Sequence, residues 1–323
     1  MDYKQGKQQK SFIQNITEFI GVLLIVFFIR TVFFGLYQVP TGSMERTMLV
    51  GERFFADKLS YWIRKPARGE IIAINDPEYV YSTNPVVALF EQYVWGPSNW
   101  TKRIIGVPGD IVEGRIENGK PVVYVNKIKL DEPYLNPYPL IHVWKENPEY
   151  LRQQIDRELQ SIMRGKSFID QETLERVLMQ KWSSKTTLRT FDPEKSYDQQ
   201  PYYRIDETLV IKKENGTAEL IWPGTPINPN QTLLATTTRS WSKSDVFYVE
   251  LGSDEYWCMG DNRLASKDSR FLGPYKCKYI HARIPFCIWS LDSNEDWAIM
   301  DLIKHPIDIW SRIRWSRCLR LIS

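Results

Sequence analysis

The sequence predicts a mainly β protein with an N-terminal transmembrane helix and a helical insertion. Three observations indicate this fold class: a long apolar stretch near the N-terminus, short strand patterns joined by hairpin turns, and one central block with helical spacing. Hydrophobic residues make up 43% of the 323 positions, which is enough for a substantial core. The net charge of +3 is too small to indicate nucleic acid as the main partner.

The apolar stretch covers residues 12–37. Its length of about 25 residues is sufficient to cross a bilayer core, and the absence of a polar stripe disfavours an amphipathic surface helix. Arg30 lies near one end, where its guanidinium can reach the lipid headgroups. A buried core helix and a cleaved signal peptide are the alternatives, but the residues after Gly35 are a poor cleavage site. We therefore expect an uncleaved anchor, and the lysines in residues 1–11 slightly favour a cytoplasmic N-terminal tail.

Strand and hairpin signals follow the apolar stretch. Two Asn-Gly pairs, Asn118-Gly119 and Asn215-Gly216, separate alternating segments, as in tight antiparallel hairpins. The predicted strands cover residues 70–74, 111–116, 121–125, 208–212, 218–222, 245–251 and 279–290.

A different pattern interrupts the strands over residues 131–220. Apolar side chains recur at helical spacing between positions 148 and 182, which predicts a partly helical insertion. The Pro- and Tyr-rich residues that begin it indicate a linker. The β domain is then formed by two parts, residues 38–130 and 221–323. Because the candidate chemical residues lie outside the insertion, we expect it to be dispensable for the chemical step.

The C-terminal residues 301–323 mix apolar side chains with arginines and are too interrupted to span a membrane. A packed terminal segment is the simpler interpretation, and contact of a basic segment with the membrane surface is the alternative. The four cysteines have no CxxC spacing, and no histidine lies close enough to suggest a zinc site. We expect no metal and no cofactor, and the spacing leaves a disulfide open.

Three local clusters carry residues suited to chemistry. Residues 39–44, Val-Pro-Thr-Gly-Ser-Met, place a hydroxyl on an irregular turn directly after the apolar stretch. Residues 100–110 read as a strand before a Pro-Gly turn, with Lys102 and Arg103 on opposite faces. Residues 259–270 crowd carboxylates, guanidiniums and hydroxyls into one loop. Each cluster alone also has a plain structural explanation: a turn, a solvated strand edge and a charged surface loop.

In this order, the three clusters together resemble the bacterial signal peptidase I family. Its members carry Pro-Ser/Thr-Gly-Ser-Met after a membrane helix, then Lys-Arg before Gly-x-Pro-Gly-Asp, and later Gly-Asp-Asn-Arg with Ser and Asp-Ser-Arg. All of these motifs occur here. The resemblance covers the apolar stretch and most of the β domain, but not residues 131–220. It implies a signal-peptidase-like antiparallel β catalytic domain and a membrane-bound serine endopeptidase with a Ser–Lys dyad, which removes N-terminal signal peptides from exported preproteins.

The resemblance also implies residue roles. Ser43 is implied as the nucleophile and Lys102 as its general base, which requires a neutral amine and therefore a pKa lowered by burial. The Thr41 hydroxyl and the Ser43 amide are implied as the oxyanion hole, and Ser266 as the residue that orients the lysine. Five charged residues are implied as support for the site: Arg103, Asp261, Arg263, Asp268 and Arg270. Among them, Arg103 and Asp261 are expected to pair.

The implied partners are signal peptides of secreted preproteins and the lipid bilayer, without nucleic acid. The implied location is the bacterial inner membrane, with a single span and the catalytic domain on the extracytoplasmic side. This sequence is expected to have a single span where some members have two, and it lacks the proline that many members carry after the pair that matches Met44-Glu45. Its helical insertion is also unusual.

Two other functions stay open. A self-cleaving repressor-type peptidase shares the Ser–Lys core, but the apolar stretch and the lack of a DNA-binding helix pair disfavour it. A membrane-anchored binding module with an inert site is the non-enzymatic alternative. The presence of Ser43, Lys102 and Ser266 together disfavours that module.

Overall fold

The protein is described by a computed structural model that covers residues 12–39, 41–77, 79–93, 99–138, 140–144, 148–164, 186–190, 192, 239–240, 245–292, 298–304 and 306–322. The first four helices are α1 (Phe12–Val32), α2 (Ser60–Ile63), α3 (Pro85–Tyr93) and α4 (Pro148–Arg164). Three short helices follow at Ser269–Leu272, Ala298–Lys304 and Ile309–Arg312. Single 3-10 turns lie at Gly42–Met44, Arg263–Ala265, Cys277–Tyr279 and Trp315–Arg317.

The strands are short, and every described pairing between them is antiparallel. They are β1 (Phe34–Gln38), β2 (Glu52–Asp57), β3 (Ile71–Asn75), β4 (Asn99–Gly106), β5 (Ile111–Glu117), β6 (Lys120–Val125), β7 (Ile128–Lys129), β8 (Leu140–Trp144), β9 (Thr186–Thr190), β10 (Arg239–Ser240), β11 (Phe247–Glu250), β12 (Glu255–Met259), β13 (Tyr275–Lys276), β14 (Ile280–Ser290) and β15 (Arg320–Leu321). The mainly antiparallel β fold is therefore as the sequence predicts.

Three sheets organise these strands. The largest has the order β1-β2-β14-β3-β4-β12-β13, with β15 paired to β14. The second has the order β10-β11-β5-β6-β7, and β8 pairs with β9 in a small third sheet. The predicted strands at positions 70–74, 111–116, 121–125, 245–251 and 279–290 are confirmed within a few residues, whereas the predicted hairpin around Asn215-Gly216 lies outside the described residues.

The confirmed hairpin turn is a local consequence of its sequence. Asn118 and Gly119 both have positive φ angles, of 50° and 74°, and join β5 to β6 in the register that pairs Glu117 with Lys120. A two-residue loop with two left-handed residues fits the twist of the flanking strands, and asparagine and glycine tolerate that backbone best.

Strand β4 is buried on both faces, and this places the candidate site in the core. Ile104 belongs to an apolar cluster with Cys258 on one face, while Ile105 belongs to a second cluster with Trp257 on the other. Because side chains alternate along a strand, Lys102 shares its face with Ile104 and Arg103 shares its face with Ile105. The predicted opposite orientation of these two basic residues therefore places one on each side of a buried strand, and not on a solvated edge.

The predicted span of residues 12–37 is too long at its C-terminal end. Helix α1 ends at Val32, and β1 then pairs with β2 from Phe34 opposite Asp57 to Gln38 opposite Arg53. β1 is an edge strand, and its backbone groups that face β2 are bonded within the sheet, although its aromatic residues continue the apolar stretch without a break. Within the described part of the chain, no helix combines the length and the hydrophobicity that a membrane crossing requires.

The insertion contains the predicted helix in part. Helix α4 lies between β8 and β9, whose register pairs Leu140 with Thr190 and Trp144 with Thr186. The remainder of the predicted helical block, residues 165–182, lies outside the described residues. The paired strands at the base of α4 bring the two ends of this unit together, and Thr190 emerges next to the turn that carries Ser43.

The C-terminal segment packs on the main sheet, as the simpler interpretation predicts. Arg314 pairs with Asp292 at 2.8 Å, and Arg317 forms an ion pair with the buried Glu52. Arg317 also donates to the carbonyl oxygen of Thr47 at 3.0 Å. Two basic residues of this segment thus point into the protein. The four cysteines are free thiols.

Candidate active site

A 3-10 turn over Gly42–Met44 carries Ser43, shortly after β1. Thr41 precedes the turn with an extended backbone, and the Glu45 amide closes it by donating to the Gly42 carbonyl at 3.1 Å. Because the turn begins at Gly42, the amide of Ser43 has no acceptor inside it. Ser43 itself is buried, with 7% of its surface exposed, so its hydroxyl lies in a largely water-excluded position.

The amine of Lys102 lies 3.2 Å from the hydroxyl oxygen of Ser43. It also donates to the carbonyl of Thr101 at 2.9 Å. Lys102 is only 4% exposed, and burial lowers its pKa to about 8, although the nearby charge of Asp268 opposes this shift. An amine with such a pKa is partly neutral near pH 7 and lies within reach of the serine proton. Sequence positions 43 and 102 are therefore brought together, as predicted.

A buried charge cluster lies behind the lysine. Asp268 and Arg270 are both fully buried, and Arg270 contacts Asp268 at 2.9 Å and Asp245 at 2.8 Å. Burial alone would raise the pKa of Asp268, but the charge of Arg270 and the hydrogen bonds to the carboxylate outweigh it and leave the pKa lowered. The carboxylate therefore stays negative, and its donors include the amide of Gly260 at 3.0 Å.

Ser266 is fully buried in the same region, but it does not bond to the lysine. Its hydroxyl forms no well-aligned hydrogen bond within the described residues, although it contributes to the lowered pKa of Asp268. Gly260 separates Ser266 from the candidate nucleophile. A Cβ atom on Gly260 would lie 2.3 Å from the Ser266 hydroxyl oxygen and 2.5 Å from the Ser43 carbonyl oxygen, so only glycine allows this close approach.

The predicted pair of Arg103 and Asp261 is confirmed on the other face of β4. Two bonds join the guanidinium to the carboxylate, at 2.9 Å from Nε and 2.7 Å from Nη2. Both residues are almost fully buried, and the Tyr134 ring centre lies 3.8 Å from the guanidinium carbon. A bidentate pair of this kind fixes the geometry of both side chains, which suits a supporting role.

Arg263 and its neighbour Asn262 connect the third cluster to the first. Arg263 donates to the Gly260 carbonyl at 3.2 Å and forms an ion pair with Glu132. Asn262 donates from its side chain to the Gly42 carbonyl at 3.0 Å and from its amide to the Ser43 carbonyl at 3.1 Å. The loop of residues 259–270 therefore holds the serine turn directly.

Thr41 differs from the other predicted site residues because it is exposed. Its side chain makes no capping hydrogen bond to the turn that follows. The eight other predicted residues are all buried: Ser43, Lys102, Arg103, Asp261, Arg263, Ser266, Asp268 and Arg270. Thr41 is therefore the one residue of the predicted set whose surface is open to solvent.

Several residues of the site were not predicted. Glu45 is fully buried and accepts a hydrogen bond from the hydroxyl of Thr190 at 2.6 Å. Glu132 and Tyr134 belong to the segment predicted as a linker, yet they contact Arg263 and Arg103. For Glu45, the Met-Glu pair shared with the family motif was a signal in the sequence that could have identified it as a site residue. Nothing in the composition of residues 131–139 or 186–190 marks them as site residues.

Within this antiparallel β fold, a serine hydroxyl lies beside a buried, partly neutral lysine. That pairing is what a serine peptidase with a lysine base requires. The family model described as Signal peptidase, peptidase S26 matches residues 12–289. The chain therefore belongs to the signal peptidase family, peptidase S26.

Curated relatives agree with this membership. The chain is 30% identical to the Probable signal peptidase I-2 of Synechocystis, over 42% of this chain and 56% of the relative. It is 26% identical to Signal peptidase I of Buchnera aphidicola subsp. Schizaphis graminum, over 83% and 72% of the two chains. It is 25% identical to Signal peptidase I of Rickettsia bellii, over 98% and 88%. The alignment with the Synechocystis protein thus spans little more than half of that protein.

Proposed function

We propose that this protein is a membrane-bound signal peptidase I that cleaves N-terminal signal peptides from exported preproteins by means of a Ser–Lys dyad. The observation that carries the proposal is the 3.2 Å approach of the buried Lys102 amine to the Ser43 hydroxyl. Family membership supports the reaction class, and the similarity to proteins named Signal peptidase I supports the class of substrate.

The proposed reaction begins with a neutral Lys102. Its amine takes the proton of the Ser43 hydroxyl while the serine oxygen attacks the scissile carbonyl carbon. The resulting tetrahedral intermediate collapses, the lysine returns the proton to the leaving amine, and the N-terminal fragment stays bound to Ser43 as an ester. Water then attacks the ester with Lys102 again as base, which releases the carboxylic acid and restores the serine hydroxyl.

Stabilisation of the tetrahedral intermediate is assigned to the Ser43 amide and the Thr41 hydroxyl. The amide has no acceptor inside its turn, and Thr41 is exposed on the side open to solvent. Ser266 is proposed to orient the lysine when substrate is bound, and its buried hydroxyl lies across Gly260 from the serine turn. The charged residues behind the dyad are proposed to keep its geometry fixed.

Membrane attachment through α1 completes the proposal. Large apolar side chains along the described part of this helix are exposed, among them Phe19, Leu24 and Phe28, and lipid would cover them. Residues 1–11 would form a cytoplasmic tail, and the β domain of residues 38–130 and 221–323 would face the extracytoplasmic side of the bacterial inner membrane. That is the side on which the signal peptide of an exported preprotein is accessible.

The test is cleavage of a preprotein by detergent-solubilised protein, followed by sequencing of the new N-terminus of the product. We expect one cut after the signal peptide, and no cut by Ser43→Ala or Lys102→Ala although the β domain of each variant stays folded. Lys102→Arg should also be inactive, because a guanidinium stays charged and cannot act as base. Near-normal turnover by Lys102→Arg would reject the dyad, and binding of the preprotein without cleavage by the unmodified protein would favour the inert binding module.

A further inference from the structure

The turn that carries Ser43 is bonded to the insertion at the end of β9. The hydroxyl of Thr190 donates to the Glu45 carboxylate at 2.6 Å, and the Thr190 amide lies 3.3 Å from the same oxygen. Both residues are almost completely buried, with 1% and 0% of their surfaces exposed. A carboxylate two positions after the proposed nucleophile is thus held by a residue 145 positions further along the chain.

Thr190 is itself held in place from a second direction. The Asn136 side-chain amide donates to the Thr190 hydroxyl oxygen at 2.7 Å, so this hydroxyl accepts one bond and donates another. The Asn262 side-chain amide lies 3.5 Å from the same oxygen, and it donates to the Gly42 carbonyl at 3.0 Å. The network is therefore hydrogen-bonded to the serine turn on both sides of Ser43, at Gly42 before it and at Glu45 after it.

Because Glu45 is buried, its carboxylate depends on these hydrogen bonds for stability. A carboxylate removed from water is stable only when donors and positive charge surround it. Burial raises the pKa of Glu45, and Arg189 at 3.6 Å together with Thr190 opposes that shift. Removal of the Thr190 hydroxyl would leave the carboxylate short of a donor, and the turn would have to move to recover one.

We infer that Thr190 is a positioning residue for the reaction, which acts through Glu45 to set the distance between the Ser43 hydroxyl and the Lys102 amine. This inference rests on the proposed function, and it replaces the expectation that the insertion is dispensable for the chemical step. The distance of 3.2 Å lies at the long end of the range for proton transfer. A displacement of about 1 Å at a reacting group costs on the order of 100-fold in rate, so small movements of the turn matter.

The experiment compares Thr190→Val, Thr190→Ser and Thr83→Val in the full-length protein, with a short signal-peptide substrate. Valine keeps the branched shape and removes only the hydroxyl, so we expect kcat to fall about 10- to 100-fold while KM changes less than about twofold. Thr190→Ser should keep most of the kcat of the unmodified protein because serine retains the hydroxyl. Thr83 is exposed and lies outside the network, so Thr83→Val should behave like the unmodified protein.

A double-variant cycle separates positioning from general packing. If Thr190 acts through Glu45, the combination of Glu45→Gln and Thr190→Val should lower kcat no more than the stronger single variant. Full additivity of the two effects would overturn the inference, as would unchanged kcat in Thr190→Val. An equal loss in Thr190→Ser and Thr190→Val would assign the effect to packing and would overturn it too.

Failure of the proposed function has a separate signature. If the unmodified protein does not cleave, or if Ser43→Ala does, the proposed dyad fails. If the unmodified protein cleaves and Ser43→Ala does not, the kcat of Thr190→Val tests the positioning role alone. Melting curves of each variant confirm that the comparison is made on folded protein.

Discussion

Among single residues, Lys102 determines how activity should depend on pH. Burial lowers its pKa to about 8, so its amine is charged below that pH and neutral above it. In the proposed mechanism only the neutral amine serves as base, so kcat/KM should rise about tenfold between pH 6 and pH 7 and level off above about pH 9. A pH–rate profile on a short peptide measures this limb. A midpoint near the ordinary lysine pKa of about 10.4 would contradict it.

The same shift affects stability in a defined direction. The unfolded chain exposes this lysine, so between about pH 8 and pH 10.4 the unfolded state binds more protons than the folded state. The contribution of Lys102 to the free energy of unfolding therefore increases as pH rises through that window. The charged amine is the unfavourable form inside the fold.

Thr41 provides a second test at this scale, because it is the exposed member of the proposed site. Thr41→Ala should lower kcat by roughly 100- to 1000-fold with a much smaller change in KM, since an oxyanion donor acts mainly in the transition state. Thr41→Ser keeps the hydroxyl and should have a mild effect. Equal losses in both variants would indicate packing and not hydrogen bonding.

The candidate residues identified from the sequence are those that sit in short linear motifs. Ser43, Lys102 and Asp268 stand in recognisable runs, and the structure brings all three together. Glu45 and Thr190 could not be paired in the same way, because their contact joins positions 145 apart and no local pattern encodes it. Burial of an acidic residue in a polar run depends on what the rest of the chain places over it.

At the scale of elements, the sequence predicts a helix or strand correctly when the interactions that form it lie close together along the chain. The hairpin of β5 and β6 depends on two adjacent residues with left-handed backbones, so the local sequence was sufficient to predict it. Strand β1 was included in the predicted span because its aromatic residues continue the apolar pattern. Its pairing with β2, which decides the outcome, involves residues about twenty positions away along the chain, so the local pattern could not reveal it.

The C-terminal segment yields a stability prediction. Arg317 pairs with Glu52, which is fully buried and also accepts from the Leu49 amide at 2.9 Å. Arg317→Met should lower the free energy of unfolding by about 2–4 kcal/mol, because it leaves a buried carboxylate without its main cation. Denaturant unfolding monitored by tryptophan fluorescence measures the change.

The matched control for that variant is an exposed pair. Arg115 contacts Glu113 at 2.7 Å with 49% of its side chain exposed, so Arg115→Met should cost less than about 1 kcal/mol. Similar losses in the two methionine variants would show that Glu52 does not depend on its arginine.

For the whole molecule, the strand order is the feature that no local pattern supplies. Strand β14 lies between β2 and β3, and β12 lies beside β4, so distant segments become neighbours. Strand patterns indicate where strands occur, but the order across the sheet depends on long-range packing of both faces. The contact between the serine turn and the 259–270 loop follows from that order.

A prediction for the whole molecule concerns its orientation in the membrane. The proposed orientation exposes the domain after α1 on the outer face of the inner membrane, so protease added to intact spheroplasts should digest it. A cytoplasmic marker protein should stay intact in the same sample. Digestion that requires lysis of the spheroplasts would contradict the orientation.

The position of β12 next to β4 also has a consequence for when the protein becomes reactive. Arg103 and Asp261 are 158 positions apart, and the loop that covers Lys102 is synthesised long after the lysine itself. Contacts of such long sequence separation form late, because the intervening chain must first be closed into a loop. A growing chain that ends before this loop would leave the amine hydrated and protonated. We therefore expect the nascent protein to lack peptidase activity until the 259–270 loop has folded against β4 and the serine turn.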